Sequence, residues 1–196
     1  MSESGVVVGD DGVSRCAWGD STDDYRVYHD TEWGRPVHDD RALFERLTLE
    51  AFQSGLSWLT ILRKRPGFRS AFEDFDPGVV AAFDDARTEA LMADGSIVRN
   101  RRKIEATITN ARALVDLQDR EGEGALDRLV WSFAPVGRAR PTSLSDVPAS
   151  TPESTALSKA LKSRGFVFVG PTTMYAAMQA CGVVDDHVAG CHRASG

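Results

Sequence analysis

Glu50 lies where an acid is out of place. Leu43 and Leu47 set one row of a helix, and Glu50 and Ser54 continue that row at helical spacing. A carboxylate on an otherwise apolar row either reaches out to solvent or is held inside for a purpose. Eight residues on, Trp58 offers a flat aromatic face, and between them Gln53-Ser54-Gly55-Leu56 makes a helix-breaking turn with a bulky apolar tip. A buried acid, a stacking ring and an apolar wedge can together hold a flat, hydrogen-bonding ligand such as a base. A helix end with one partly exposed Glu is the plainer account of the same residues.

A second concentration lies upstream. Trp18, Tyr25, Tyr28 and Trp33 crowd into sixteen positions, with Cys16 and His29 among them. A surface loop has no need of so much aromatic material, and a core segment has no place for so many acids between the rings. Rings lining a cleft satisfy both facts, as does a satellite cluster packed under a loop. Cys16 and His29 have twelve residues between them; His187 and Cys191, near the other end, have three. On a helix those last two would share a face. Two thiolates and two imidazoles make a closed tetrahedral zinc site with no open position for water, structural in role and tying the chain ends together. The spacing is not the compact finger pattern, so plain burial stays open. Cys181 sits among apolar residues and reads as a small buried hydrophobe.

The chemistry needs a frame. The 196 residues, 42% of them hydrophobic, suit one core or two small lobes sharing a cleft. No run is apolar enough to span a membrane, and the N-terminus lacks the basic and apolar regions of a signal peptide, so a cytosolic location is expected. Three cysteines argue against a disulfide framework. A net charge of −6 argues mildly against non-specific nucleic-acid binding. Three local basic strips remain, at Arg63-Lys64-Arg65, Arg99 to Lys103, and Lys159, Lys162 and Arg164; each is either a solvated face or a phosphate clamp.

The pattern predicts an all-α unit: residues 1–14 a flexible tail, 15–191 one domain, 192–196 a C-terminal tail. Residues 39–62 form the opening helix, with Asp39 or Asp40 at its cap. Pro66-Gly67 marks a turn over 63–68, and 69–75 a short helix. Helices then start at Pro77 and Asp85, span 100–120 and 126–133, and resume with Thr151 as cap and Pro152 first inside. The prolines of 134–152 give an extended connection. Phe166 to Val169 reads as a glycine-bracketed hairpin rather than a lone strand, and Gly170 opens a helix N-terminus whose free amides suit a phosphate.

The segments RCAWG, YHDTEWG, LFERLTLEAFQSGLSWLTIL, FDP, NRRKI, NARA, LSKALKSRGFVFVGPT, MQACG and DHVAGC, in this order and at these distances, resemble the 3-methyladenine DNA glycosylase I family from about Arg15 to Cys191. The resemblance implies the helix-hairpin-helix glycosylase fold, all-α with a base-binding cleft. It implies a structural zinc on Cys16, His29, His187 and Cys191. It implies a monomer that acts on alkylated double-stranded DNA, flips out 3-methyladenine and hydrolyses its N-glycosidic bond without lyase activity, leaving free 3-methyladenine as product.

Methylation at N3 puts a positive charge on the base and makes it a good leaving group, so the enzyme needs little acid catalysis. Glu50 then becomes the principal candidate for the catalytic pocket, accepting from the exocyclic amine and complementing the cationic base. Tyr28 and Trp58 match the family's stacking residues, and Trp18, Tyr25 and Trp33 its pocket wall. Leu56, with Gln53, matches the wedge that fills the gap left by the flipped base. Gly170, Lys159 and Arg164 match the element that meets the DNA backbone.

Asp185, near the position of a catalytic acid in the wider superfamily, is expected to cap a following helix; a role as acid is the alternative, and it would broaden the substrate range. A non-catalytic reader of lesions would use the same pocket. Excision of 3-methyladenine separates it from an enzyme.

Overall fold

The computed structural model describes residues 5–194. The first fourteen residues are not all a tail. β1 (Val6–Val8) pairs antiparallel with β2 (Ser14–Cys16), Val6 opposite Cys16, around a turn with Gly12 at a φ of 76°. This hairpin fixes Cys16, and it qualifies the all-α expectation to mostly helical. Met1 to Ser4 lie outside the described residues. At the other end the expected tail is also partly ordered. His192–Ala194 form a 3-10 turn, and a ring nitrogen of His192 lies 2.9 Å from the Ser14 carbonyl.

After a 3-10 turn at Ala17–Asp20, α1 (Asp23–Thr31) carries Tyr25, Tyr28 and His29. α2 (Asp40–Gln53) follows, capped by Asp39, which accepts from the Ala42 amide at 2.7 Å. It is the centre of the fold and packs against α3 (Trp58–Ala71), α6 (Arg101–Glu121), α7 (Ala125–Trp131) and α9 (Pro171–Ala180). The core forms round it from residues including Leu43, Phe44, Leu47, Leu49 and Phe52, joined by Ile104, Leu114 and Met178.

The opening helix is therefore two helices, broken at 54–57. Gly55 supplies a φ of 82° and Ser57 caps α3 through the Thr60 amide. Lys103 settles the break. Its buried ammonium donates to the carbonyls of Phe52 and Ser54 at 2.8 and 2.7 Å, satisfying two acceptors left over at the end of α2. That removes Lys103 from the expected basic strip.

The turn expected at 63–68 is absent, because α3 runs through Pro66 and Gly67. Tertiary packing overrides the local signal. Phe68 packs on Phe52 at 4.7 Å, and a Cβ at Gly67 would stand 2.7 Å from the Ser96 carbonyl, so the glycine serves a close approach. The helix expected at 69–75 is instead the end of α3 and a left-handed turn at Glu73, Asp74 and Phe75. Arg41 holds the Asp74 carbonyl there at 2.7 Å.

α4 (Pro77–Ala81), α5 (Asp85–Ala93) and α8 (Pro152–Lys162) begin where expected, capped by Asp76, Asp84 and Thr151. α8 and α9 pack together across a tight turn at 163–170 that is not a strand. Asn110 of α6 pins it, accepting from the Val167 amide at 2.7 Å and donating to the Val167 carbonyl at 3.0 Å. No helix among the described residues is long and apolar enough to cross a membrane.

Candidate active site

A cavity of about 450 Å³ opens between the N-terminal third and the end of the chain, within the usual size of small-ligand sites. All six residues expected to bind a flat ligand line it: Trp18, Tyr25, Tyr28, Trp33, Glu50 and Trp58. Gln53 joins them at the end of α2. Leu144, Val147, Ala176, Gln179 and Asp186 complete the lining.

α1 positions two of the tyrosines. The rings of Trp18 and Tyr25 meet edge to face at 5.7 Å, and those of Trp18 and Trp33 at 5.0 Å. Tyr28 and Trp58 lie 5.5 Å apart with their planes tilted by 43°. The Tyr25 hydroxyl accepts from the Leu59 amide at 3.0 Å, tying α1 to the start of α3. Both Arg65 and Arg46 hold the Glu32 carboxylate, which fixes α1 from its other end.

Glu50 is 6% exposed. Burial pushes its carboxyl up to about 8, and only the charge of Arg46 works against the shift. It is thus poised to change charge near neutral pH. Burial, then the nearby Glu50, pushes the Tyr28 phenol upward, so that it stays a neutral donor. The Tyr28 hydroxyl and the Trp58 indole nitrogen are both buried and have no hydrogen-bond partner among the described residues. Leaving a buried donor unpaired typically costs about 1–3 kcal/mol, and unpaired donors in a cavity lining suit a polar occupant.

Asp185 does not line the cavity. No helix follows it; it accepts from the His187 amide at 3.1 Å and from Arg140 at 2.6 Å, and remains exposed. Its neighbour Asp186 is the inward carboxylate. It is 3% exposed and accepts from the Tyr175 hydroxyl and, at 2.7 Å, from Gln179, with Arg138 at 2.8 Å. The sequence carried no signal to choose between adjacent acids in an irregular segment, since neither helical nor strand periodicity applies there.

Cys16, His29, His187 and Cys191 come together, all buried, with their ligand atoms within 4.8 Å of one another. The segment carrying His187 and Cys191 is a turn, not the expected helix; the Cys191 amide closes it on the Val188 carbonyl at 3.0 Å. Sulfur-to-nitrogen distances are 3.4 Å for Cys191–His29, 3.7 Å for Cys191–His187 and 3.9 Å for Cys16–His187. A tetrahedron with ordinary zinc–sulfur and zinc–nitrogen lengths has edges of about 3.5 Å, so the donor set fits that ion. The second nitrogen of each ring also has a partner: Asp30 at 2.8 Å from His29, and the Trp33 carbonyl at 3.4 Å from His187. Arg15, buried, holds Asp30 at 2.8 Å.

The remaining expected residues lie outside the cavity. Leu56 is 40% exposed at the tip of the 53–56 turn, whose Leu56 amide donates to the Gln53 carbonyl at 2.7 Å. Lys159 is exposed on α8. Arg164 is partly committed, donating to the Ala160 carbonyl at 3.1 Å. Gly170 is the N-cap of α9 and leaves it without a side-chain cap. The strip at Arg63 to Arg65 is spent on Asp24, the Gly95 carbonyl and Glu32.

A family model described as methyladenine glycosylase matches residues 18–194. The chain is 49% identical to DNA-3-methyladenine glycosylase 1 of Escherichia coli (strain K12) over 91% of its own length and 96% of that protein's. A crystal structure of a 3-methyladenine DNA glycosylase I superposes with a TM-score of 0.85 at 46% identity, covering 91% of this chain and 98% of that one. A tyrosine-to-phenylalanine variant of a 3-methyladenine DNA glycosylase I, solved in complex with 3-methyladenine, superposes at 0.84 with 35% identity, covering 91% and 96%. The chain belongs to the methyladenine glycosylase family.

Proposed function

We propose that this protein is a base-excision glycosylase that flips 3-methyladenine out of alkylated double-stranded DNA and hydrolyses its N-glycosidic bond, without lyase activity. The observation that carries the reading is the lining of one cavity. It combines a buried acid that titrates near neutrality with two unpaired buried donors, on a frame of aromatic rings. A flat cationic base answers the acid and the rings. Its charge complements ionised Glu50 and its face meets Tyr28 and Trp58. Stacking of this kind is worth about 1–3 kcal/mol per base.

Glu50 reads the base rather than moving a proton, because the N3-methyl group has already activated the leaving group. Leu56, on its exposed turn beside Gln53, is the wedge that replaces the extruded base. The α8–turn–α9 unit is the helix-hairpin-helix element, with the open amides after Gly170 meeting a backbone phosphate and Lys159 and Arg164 at its side. Cys16, His29, His187 and Cys191 would hold one zinc ion. Such a closed four-ligand centre supplies a cross-link and no reactive water. The protein acts as a cytoplasmic monomer, and its working domain is 15–191 together with the paired strand Val6–Val8.

DNA treated with a methylating agent tests the reading. The expected result is release of free 3-methyladenine with the phosphodiester backbone uncut. Binding of the lesion without release would mark a non-catalytic reader instead.

A further inference from the structure

Part of the cavity's frame comes from a stretch that the expected chemistry does not use. Residues 132–151, between α7 and α8, contain little regular structure, yet Leu144 and Val147 line the cavity. A segment without its own helix must be held from outside if it is to serve as a wall. Asp146 stiffens it locally, accepting from the amides of Thr142 and Ser143 at 2.9 and 2.8 Å. Its docking is to α9 and the segment that follows it. The Arg138 guanidinium lies 5.4 Å over the Tyr175 ring and 2.8 Å from Asp186, and Arg140 holds Asp185 at 2.6 Å. The Ala189 amide donates to the Pro141 carbonyl at 2.9 Å. On the far side Leu144 rests on Gly5, where a Cβ would stand 2.8 Å from the leucine Cγ.

We propose that Leu144 and Val147 form a base-contacting wall, and that Arg138 and Asp186 are positioning residues that hold this wall against the flipped base. Leu144 is 43% exposed although it lines the cavity, so it stands at the rim, where an occupant would cover it. Val147 is half-buried and packs on the main core, so it lies deeper. Arg138 does not line the cavity and acts on the base only through this wall and through Asp186, which holds the wall through Arg138 while itself standing in the lining. Arg138 serves as a flat plate on the tyrosine and as a charge for the carboxylate, a pair of tasks that lysine performs only in part.

The proposal rests on the reading of the cavity as a base site. Its test uses the full-length protein and free 3-methyladenine as the probe, with binding read from tryptophan fluorescence, since Trp18, Trp33 and Trp58 all line the cavity. Amide hydrogen exchange of 137–147 and steady-state excision are measured alongside. Leu144→Ala should raise Kd and KM by about tenfold, the low end for pocket methylenes, with kcat and Tm unchanged. Arg138→Met should raise Kd and KM likewise, lower Tm because buried Asp186 loses its cation, and speed exchange across 137–147, and Arg138→Lys should recover part of the loss.

Faster exchange in Arg138→Met with unchanged Kd and KM, together with unchanged binding by Leu144→Ala, would overturn the proposal and leave the base reading intact. If wild-type protein binds no 3-methyladenine, the base reading falls and this proposal with it. If Arg138→Met fails to fold, Leu144→Ala decides alone, because a rim residue truncated at the surface leaves the core untouched.

Discussion

Replacing Glu50 by Gln keeps shape and burial and removes only the charge and its titration. The carboxyl sits at about 8 in the folded chain against an ordinary 4.5, chiefly through burial. The sign follows from that direction. An acid whose folded value is raised adds to folding stability below 4.5, and the contribution is lost as pH climbs through about 8. The whole interval corresponds to roughly 5 kcal/mol, an upper bound because water and relaxation soften buried charge. Glu50→Gln should therefore gain stability relative to wild type as pH rises from 5 to 9, read as a growing difference in Tm.

Activity should move the other way. A lesion that carries a fixed positive charge favours ionised Glu50, so its binding expels a proton below pH 8. Wild-type kcat/KM should rise with pH and level off near 8, while the Gln variant stays flat. At the plateau, the lost charge-assisted hydrogen bond is worth about 1.5–3 kcal/mol, roughly 10- to 150-fold in kcat/KM. Most of it should appear in KM, because the base carries its full charge before the bond breaks and sheds it on leaving. Single-turnover excision on a methylated duplex across that pH range measures both constants. A Gln variant with wild-type KM and an unchanged pH profile would refute the role given to Glu50, and a loss confined to kcat would make it a proton donor instead.

Leu56→Ala should leave Tm and free-base binding unaltered while raising KM for lesion DNA, since the side chain is exposed on a turn; a matching loss of free-base affinity would place Leu56 in the pocket rather than in the duplex. Lys103→Met should cost about 1.5–3 kcal/mol in urea unfolding, the range for hydrogen bonds to charged groups, because the carbonyls of Phe52 and Ser54 lose their donor. It should also loosen the 53–56 turn, seen as faster amide exchange there. Elemental analysis should find one zinc per chain, and Cys191→Ala should lose it together with a large drop in Tm. A metal-free wild-type preparation of undiminished Tm would remove the cluster's structural role.

The sequence could be read where local chemistry decides the outcome. Asp39, Asp84 and Thr151 cap helices because each offers an oxygen at the right step before a helical run, and no distant residue has a say. Glu50 was visible because it broke an apolar row. The misreadings share one cause, which is contact from far along the chain. Pro66-Gly67 continues a helix because Phe68 is needed against Phe52 and Ser96 comes close. Lys103 looked like part of a basic strip until Phe52 and Ser54 claimed it. Val6–Val8 looked like tail because its partner strand is set by a turn of acids and glycines and by Arg15, which grips Asp11 at 2.7 Å. Asp186 could not be told from Asp185, since the choice depends on Tyr175, Gln179 and Arg138 on other elements. Leu144 and Val147 lie in a proline-spaced connection with no periodicity to mark a buried side.

The Cys16, His29, His187 and Cys191 cluster and the cavity share a wall with no slack in it. The His29 ring meets Trp18 at 5.2 Å and the His187 ring meets Trp33 at 4.7 Å, while Trp18 and Trp33 meet each other. A Cβ at Gly19 would stand 2.6 Å from the His29 ring, and one at Gly34 would stand 2.9 Å from the His187 Nε2. Close-packed rings transmit a displacement rather than absorb it. Whatever fixes the two imidazoles therefore fixes the two tryptophans that line the cavity. This matters because the cavity is expensive to keep open. A buried acid with only the charge of Arg46 to balance it, and two donors without partners, would collapse onto one another or onto water if their supports could shift. A metal ion held by Cys16, His29, His187 and Cys191 behind the aromatic wall would resist that collapse without touching the ligand. On this argument the two chain ends are joined less to hold the chain together than to keep an unfavourable cavity in shape.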